Sequence, residues 1–508
     1  MAPTSPDSQH AFTYDLIVIG SGPAGQRAAL QGSKAGKKVA IVESHTHVGG
    51  GCIHSGTLPS KSFRESVYRF SLGSRGTLGK DGSSDSRALL PDMQRLLKRR
   101  NRVVEGESQV ISDQLDRNRI KVYSAFAKFA GPHELDLFEG GSKTPMARIS
   151  GKFIFICVGA RPVAPEHLPV DGRLVHDSNT ILNLKRFPKS MVVLGAGIIG
   201  CEYASMFATG GTEVTLVDKR PQVLASVDRE IVSHLTGMFQ SQGLEILLSC
   251  EATQLEIVAA PRRKFVGRSR SAGEKVRVHL SNGKKIMVET VLVALGRAGN
   301  TDDLGLDVVG IAKDERGLVK VNQHFQTTVP HIYAVGDVVG APALASTSME
   351  QGRIACCHAF EIPNSSGGAV LDQKQNQSYA MPVLFPYGIY TIPEISMIGL
   401  TEEELNTAKT DFVVGRARYR ELARGQIVGD RWGILKLLVD RNNRKLLGVH
   451  IIGDNAADLI HIGQAVMAFN GDVNYFISSV FNYPTLAEAY KTAAFHAVNQ
   501  ILGTTSSK

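Results

Sequence analysis

The chain carries the same supersecondary plan twice, and no other feature of it limits the possible folds so severely. Asp15–Ile19 reads as a buried strand, Gly20-Ser21-Gly22-Pro23-Ala24-Gly25 opens a helix, and Val39–Val42 is a second strand ending at Glu43. Far downstream, Met191–Leu194, Gly195-Ala196-Gly197-Ile198-Ile199-Gly200 and Val214–Val217 ending at Asp218 repeat it. In both copies the acid stands 23 positions after the first glycine. One Gly-x-Gly-x-x-Gly is weak, because glycine turns are common. A strand before it, a helix after it and an acid at this distance make the pattern specific. The first glycine turns the chain, the second admits a pyrophosphate to the backbone, and the third lets helix and strand touch. The phosphates then sit on a helix N-terminus, and the acid accepts from a ribose hydroxyl. Two dinucleotide sites in an α/β fold are predicted.

Two further strands end at glycine, as strands bordering a ligand crevice do: Phe153–Val158 before Gly159, and the strand near Ile332 before Gly336-Asp337. The simplest arrangement inserts the second dinucleotide domain into the first. The expected boundaries are 1–160 and 296–370 for the first domain, 161–295 for the second and 371–508 for a C-terminal domain. That last region alternates strands (Gly433–Val439, Lys445–Ile452) with helices (Ala456–Phe469, Thr485–Leu502) and has no nucleotide fingerprint, so packing or self-association is its expected role. The apolar spacing from Leu96 to Leu115 predicts a core helix of the first domain. Gly73–Ser86, Pro261–Lys275 and Asn364–Ser378 read as surface loops or linkers.

Composition excludes several classes. With 508 residues and 43% hydrophobic content, the chain can build two to four domains and is not disordered. Its longest apolar runs, near 153–160 and 191–200, are half of a membrane helix. The first fifteen residues show neither an apolar export core nor an Arg-rich amphipathic pattern, so a cytoplasmic protein is expected. Six cysteines (52, 157, 201, 250, 356 and 357) are too sparse for a disulfide scaffold and lack metal-type pairing, so no metal is expected. Arg262, Arg263, Lys264, Arg268, Arg270 and Lys275 form a basic stretch with one aromatic, Phe265, and no helix-turn-helix or zinc module. It reads as a solvated loop rather than a nucleic-acid surface.

Several runs then carry a resemblance: both fingerprints, VGGGCIHSGTLPSK at 48–61, GRAGN at 296–300, YAVGD at 333–337 and NYPTLAEAY at 482–490. From about Tyr14 to Leu502 the chain resembles the FAD-dependent pyridine nucleotide-disulfide oxidoreductases. The resemblance implies two Rossmann-like domains, one for FAD and one for NAD(P), and a C-terminal α+β dimerisation domain. It implies FAD on the first copy through Gly20, Gly22, Gly25, Glu43 and Asp337, with Gly49, Gly50, Gly51, Cys52, Lys61, Gly159, Gly296 and Gly336 beside it. It implies a nicotinamide nucleotide on the second, through Gly195, Gly197, Gly200 and Asp218, in a homodimer or higher homo-oligomer with no membrane or nucleic-acid partner. Lys61 and Glu202 resemble the family's flavin-side ion pair and are the candidate catalytic residues; such a pair holds positive charge where a reduced flavin gains negative charge.

What the chain lacks narrows the chemistry. The family's reductases relay electrons through two cysteines five apart; here Cys52 is followed by Thr57, and a hydroxyl forms no disulfide. Their acid/base histidine before Pro-Thr is replaced by Tyr483, a poor proton relay near neutrality. The family's transhydrogenase branch is similar in both replacements. That resemblance implies FAD-dependent hydride transfer between NADPH/NADP+ and NADH/NAD+, ping-pong at one site, with NAD and NADP as substrates. The alternatives are an NAD(P)H:quinone or dye reductase on the same fold, or a non-enzymatic flavin-binding sensor. Asp218 suits the free hydroxyl of NAD, while Lys219 and Arg220 suit the 2′-phosphate of NADP. Cys52 reads as packing beside the cofactor or as a thiolate against the flavin, His54 as no replacement base, and Tyr483 as filling the volume the histidine vacates or covering the second flavin face from a partner subunit.

Overall fold

In the computed structural model, residues 12–75, 92–259, 273–362 and 384–503 are described. They divide into two compact units. The first comprises 1–60, 99–162 and 296–381, and the second 61–98, 163–295 and 382–508. Most of Gly73–Ser86, most of the basic stretch 261–275 and all of Asn364–Ser378 lie outside the described residues.

The first unit is built on a sheet whose parallel strands run in the order Lys121–Ser124, Val39–Glu43, Tyr14–Ile19, Ala147–Ile156, Ile332–Ala334. The strand Ala147–Ile156 also pairs antiparallel with Glu134–Phe138, which pairs with Phe126–Gly131. Side chains alternate across the sheet. Leu16, Val18, Val39, Ile41 and Phe155 pack with Ala24 and Ala28 of the helix Pro23–Lys34 and with Ile354 and Ala355 of the helix Ala345–Ala359. Ile17, Ile19, Ala40, Val42 and Ile154 face the other core, with Phe129, Leu135 and Leu137. Burial on both faces explains why these strands read as unbroken apolar runs.

The second unit repeats the strand order. Glu245–Leu247, Glu213–Val217, Ser190–Leu194, Thr290–Val293 and Val175–His176 are all parallel. Here too the strand preceding the fingerprint is central and the acid-bearing strand lies next to it. One face packs on the helices Ile198–Thr209 and Arg229–Ser241; the other covers a three-stranded antiparallel sheet, Ala252–Ala259, Glu274–Leu280 and Lys285–Val288. The same unit holds a five-stranded antiparallel sheet in the order Tyr387–Ile389, Glu394–Gly399, Leu446–Gly453, Ile434–Asp440, Phe412–Arg418. Ile395, Ile434 and Ile452 of this sheet enter the core of the nucleotide-type sheet. Leu435, Leu437, Val449 and Ile451 face the helices Ala456–Ala468 and Glu488–Ile501.

One expectation is narrowed. The stretch 96–115 lies in a helix, Met93–Arg117, that meets the core along one edge only: Ile111 and Leu115 lie in the first unit's core with Val104 against it. Only Met93, Ile111 and Leu115 are buried, and Val103 and Val110 are exposed, Val110 at 51%. The apolar positions recur as doublets seven apart, which spreads them along a stripe wider than the edge the helix turns inward. Among the described residues, no helix is long and apolar enough to cross a membrane.

Candidate functional site

The two fingerprints are superposable in their local logic. Gly20 has φ +102° and Gly195 φ +108°, both in the region only glycine visits freely. A Cβ at Gly20 would stand 2.5 Å from the Cys157 carbonyl oxygen, and one at Gly195 2.4 Å from that of Ala294. The third glycines are tighter still: a Cβ at Gly25 would meet the Gly20 oxygen at 2.0 Å, and one at Gly200 the Gly195 oxygen at 1.8 Å. The middle glycines differ. At Gly22 nothing lies within 4 Å of a hypothetical Cβ, and at Gly197 only the Arg220 guanidinium does, at 3.8 Å. Each site thus has room at the helix N-terminus where a phosphate would approach the backbone.

In the first site the acid is wired into the loop. Glu43 Oε2 accepts from the Ser21 amide (2.9 Å) and hydroxyl (2.5 Å), and the Ser21 hydroxyl accepts from the Gly49 amide (2.8 Å). Glu43 Oε1 accepts from the His45 amide at 2.9 Å. Burial opposes ionisation, but these bonds from Ser21 and His45 hold the Glu43 carboxyl below its usual range. Gly50 folds back over the loop, where a Cβ would lie 2.8 Å from Gly22 Cα. Gly51 and Cys52 follow in the short helix Gly50–His54; Cys52 is half-buried against the core, and His54 Nε2 lies 2.9 Å from the Val48 carbonyl.

The strand-end glycines belong to the same unit. A Cβ at Gly336 (φ +85°) would stand 3.2 Å from the Ala24 methyl, and the Gly336 amide donates to Gln351 Oε1 at 2.7 Å. Gly159 accepts from the Asn300 amide at 3.1 Å, and Asn300 Nδ2 donates to the Val158 carbonyl at 2.9 Å. Gly296 precedes the strand Arg297–Gly299, and the Arg297 guanidinium donates to the Ala160 carbonyl. Two groups here are left wanting. Arg297 Nε is buried without a hydrogen-bond partner, 3.8 Å from Asp337 Oδ2. Burial raises the Asp337 carboxyl above its usual range, and the nearby Arg297 charge offsets this only in part. A dinucleotide with hydroxyls and phosphates to offer fits a crevice of this kind.

In the second site, Asp218 is saturated from inside the protein. Its Oδ2 accepts from the Ala196 amide and from Arg220 Nη2, both at 2.6 Å, and its Oδ1 accepts from the Arg220 amide (2.8 Å) and Nε (2.9 Å). Burial raises the carboxyl, yet the paired guanidinium and the amides leave it below its usual range. The pair is held at the strand end with Arg220 and Lys219 turned to solvent. Two exposed cations beside the fingerprint suit a ribose phosphate, whereas a ribose hydroxyl would reach the Asp218 carboxylate only where Arg220 gives up one of its bonds to it.

Lys61 and Glu202 meet within the second unit. Lys61 Nζ donates to Glu202 Oε2 at 2.6 Å, and Glu202 is 5% exposed. Glu202 Oε1 accepts from the Tyr390 amide at 2.8 Å, and the Lys61 ammonium stands 5.1 Å from the centre of the Tyr390 ring. Sequence reasoning missed Ser21, Arg297 and Tyr390. Ser21 had a signal, being the residue between the first two glycines. Tyr390 had none, since its partner Glu202 is 188 positions away. Thr57 begins the helix Thr57–Arg75, and none of the six cysteines is in a disulfide, Cys356 and Cys357 included. Tyr483 lies between the helices Asn474–Ser478 and Glu488–Ile501 and is 74% exposed in this chain.

The family model for the pyridine nucleotide-disulphide oxidoreductases matches residues 14–352, and that for the dimerisation domain of the same proteins matches 385–494. A soluble pyridine nucleotide transhydrogenase of Mycobacterium bovis is 44% identical over 96% of this chain and 98% of its own length. A protein of that name from Yersinia pestis is 39% identical, over 97% of this chain and 100% of its own length. Among solved structures, the HOCl-induced flavoprotein disulfide reductase RclA of Escherichia coli is similar with a TM-score of 0.79 and 27% identity, covering 95% of this chain and 99% of that one. LpdA of Mycobacterium tuberculosis shares the fold, with a TM-score of 0.80 at 22% identity over 94% of this chain and 99% of that one.

Proposed function

The chain belongs to the pyridine nucleotide-disulphide oxidoreductase family, and from that premise we propose that it is a soluble, Si-specific pyridine nucleotide transhydrogenase of the cytoplasm, moving hydride between the NADPH/NADP+ and NADH/NAD+ pools. The observation that carries this reading is Thr57, five residues after Cys52. A lone thiol cannot cycle two electrons by closing a disulfide, so a second nicotinamide nucleotide is the acceptor the residues favour.

FAD is assigned to the first fingerprint, with residues 1–160 and 296–370, and the nicotinamide nucleotide to the second, with residues 161–295. Residues 371–508 are assigned to contact with a second copy. FAD supplies two-electron hydride chemistry when bound. The chain's residues do the rest. Gly20, Gly22 and Gly25 leave a helix N-terminus open to a pyrophosphate, and Gly49, Gly50 and Gly51 cover that loop beside Cys52. Glu43 and Asp337 offer carboxylates to sugar hydroxyls, and Gly159, Gly296 and Gly336 keep the crevice edge clear of side chains. Lys61, fixed by Glu202, holds a positive charge against the charge that develops on reduction.

At the second fingerprint, Gly195, Gly197 and Gly200 receive the nucleotide's pyrophosphate. Asp218 serves the ribose of NAD where Arg220 turns from it, and Lys219 and Arg220 serve the 2′-phosphate of NADP. One site would then take both nucleotides in turn, which is ping-pong. Anaerobic mixing of the FAD-loaded protein with NADPH and thio-NAD+ tests the reading. Formation of thio-NADH with no quinone or disulfide present is expected. NADPH consumption that needs a quinone, with thio-NAD+ untouched, would move the assignment to a quinone reductase.

A further inference from the structure

We propose that Tyr390 is a positioning residue for the Lys61 ammonium, and through it sets the reduction potential of the bound flavin. The inference rests on the assignment of Lys61 to the flavin. It deepens that assignment by naming what keeps the charge in place.

Tyr390 holds the ion pair from two sides. Its amide donates to Glu202 Oε1 at 2.8 Å, which turns the other oxygen, Oε2, toward Lys61 Nζ at 2.6 Å. Its ring lies under the same ammonium, 5.1 Å from centre to nitrogen, inside the range at which a ring quadrupole attracts a cation. A lysine has four rotatable side-chain bonds, so its charge is placed only as well as its neighbours restrain it. The neighbours here include a carboxylate and an aromatic face, and one residue orients both.

Tyr390 is itself fastened. The segment that follows it is tied to each helix bearing the pair, three residues beyond the functional side chain. The Ile392 amide donates to Ser205 Oγ at 3.1 Å, on the helix of Glu202. The Arg64 guanidinium, on the helix of Lys61, donates to the Thr391 carbonyl at 3.1 and 3.3 Å and pairs with Glu394 at 3.0 Å. Burial and the charges of Glu394 and Glu202 raise the Tyr390 phenol above its ordinary value, so it stays neutral and its ring keeps a negative face for the cation.

The test is the two-electron potential of the flavin in Tyr390→Leu, Tyr390→Phe, Lys61→Met and the Lys61→Met/Tyr390→Leu double variant. Each would be equilibrated anaerobically with a reference dye. Tyr390→Phe keeps ring and amide and is expected to match the parent protein. Tyr390→Leu keeps the amide but loses the ring, and is expected to disfavour reduction by about tenfold, a fall of about 30 mV for a two-electron couple. Lys61→Met is expected to shift further in the same direction, and the double variant to equal Lys61→Met alone. Should the leucine variant fail to bind flavin, Tyr390→Met keeps most of the volume and carries the same expectation.

A normal potential in Tyr390→Leu beside a lowered one in Lys61→Met would overturn the inference and leave the assignment of Lys61 standing. An equal shift from Tyr390→Leu with and without Lys61 would also overturn it, since the ring would then act without the lysine. An unshifted Lys61→Met would remove the assignment of Lys61 and the inference together.

Discussion

At Gly195 a side chain would put its Cβ 2.4 Å from the Ala294 carbonyl oxygen, on a backbone with φ +108°. Gly195→Ala is therefore expected to weaken NADH and NADPH binding by more than about tenfold, by the strain such a φ imposes on a non-glycine residue. FAD content should stay normal, because the first fingerprint is untouched. Calorimetry of nucleotide binding beside a flavin-to-protein ratio checks both halves. Arg220 offers a sharper separation. It now neutralises Asp218 in a bidentate pair. Arg220→Gln is expected to cost NADPH about tenfold or more in Kd, the worth of a charge-assisted bond to phosphate. NADH should bind no worse, since the Asp218 carboxylate is released to its ribose. Residues of this kind were legible because their reasons are local and steric: three glycines and an acid at fixed spacing. Tyr390 was not legible, because its partners Lys61 and Glu202 reach it only through the fold.

Among the elements, the helix Arg229–Ser241 begins on Asp228, whose carboxylate caps Glu230 and Ile231 and also accepts two bonds from Lys436 at 2.9 Å. Lys436, on the strand Ile434–Asp440, is fully buried with Asp228 and also pairs with Glu230 and Glu402; Arg416 on the neighbouring strand pairs with Glu230 at 2.7 Å. Lys436→Ala would strand a buried carboxylate at the start of a helix. A loss of about 3–5 kcal/mol is expected, read from urea unfolding at neutral pH. The sign with pH follows from the carboxylates. Against burial, the neighbouring His450, Lys436 and Arg416 hold Asp228 and Glu230 below their unfolded values. Their contribution is thus present above the ordinary carboxylate pKa of about 4 and is lost as pH falls through the lowered native values. The urea midpoint of the parent protein should fall below about pH 4, and its difference from Lys436→Ala should shrink there. No periodicity in the sequence announces such a network, because Lys436 alternates with apolar residues of a buried strand and its partners come from two distant segments.

For the whole molecule, the repeat made the α/β fold with two similar halves legible before any coordinates, since each strand, turn and helix recurs in the same order. The helix Met93–Arg117 shows where such reading stops: heptad-spaced doublets announced a helix but not how little of it would be covered. The C-terminal region leaves Phe469, Tyr475, Val480, Tyr483 and Leu502 in the open, Val480 at 96% exposure. In a chain whose relatives carry a dimerisation domain there, these side chains are expected to be covered by a second copy. Val480→Asp should shift the protein toward monomer in sedimentation velocity, with its FAD-binding half still folded. In the proposed function NADPH and NAD+ take turns at one nucleotide site, with no dithiol between them. Initial rates of thio-NADH formation, with NADPH varied at several fixed concentrations of thio-NAD+, test this most directly. Parallel double-reciprocal lines are expected; intersecting lines, or no transfer without an added quinone, would rule this mechanism out.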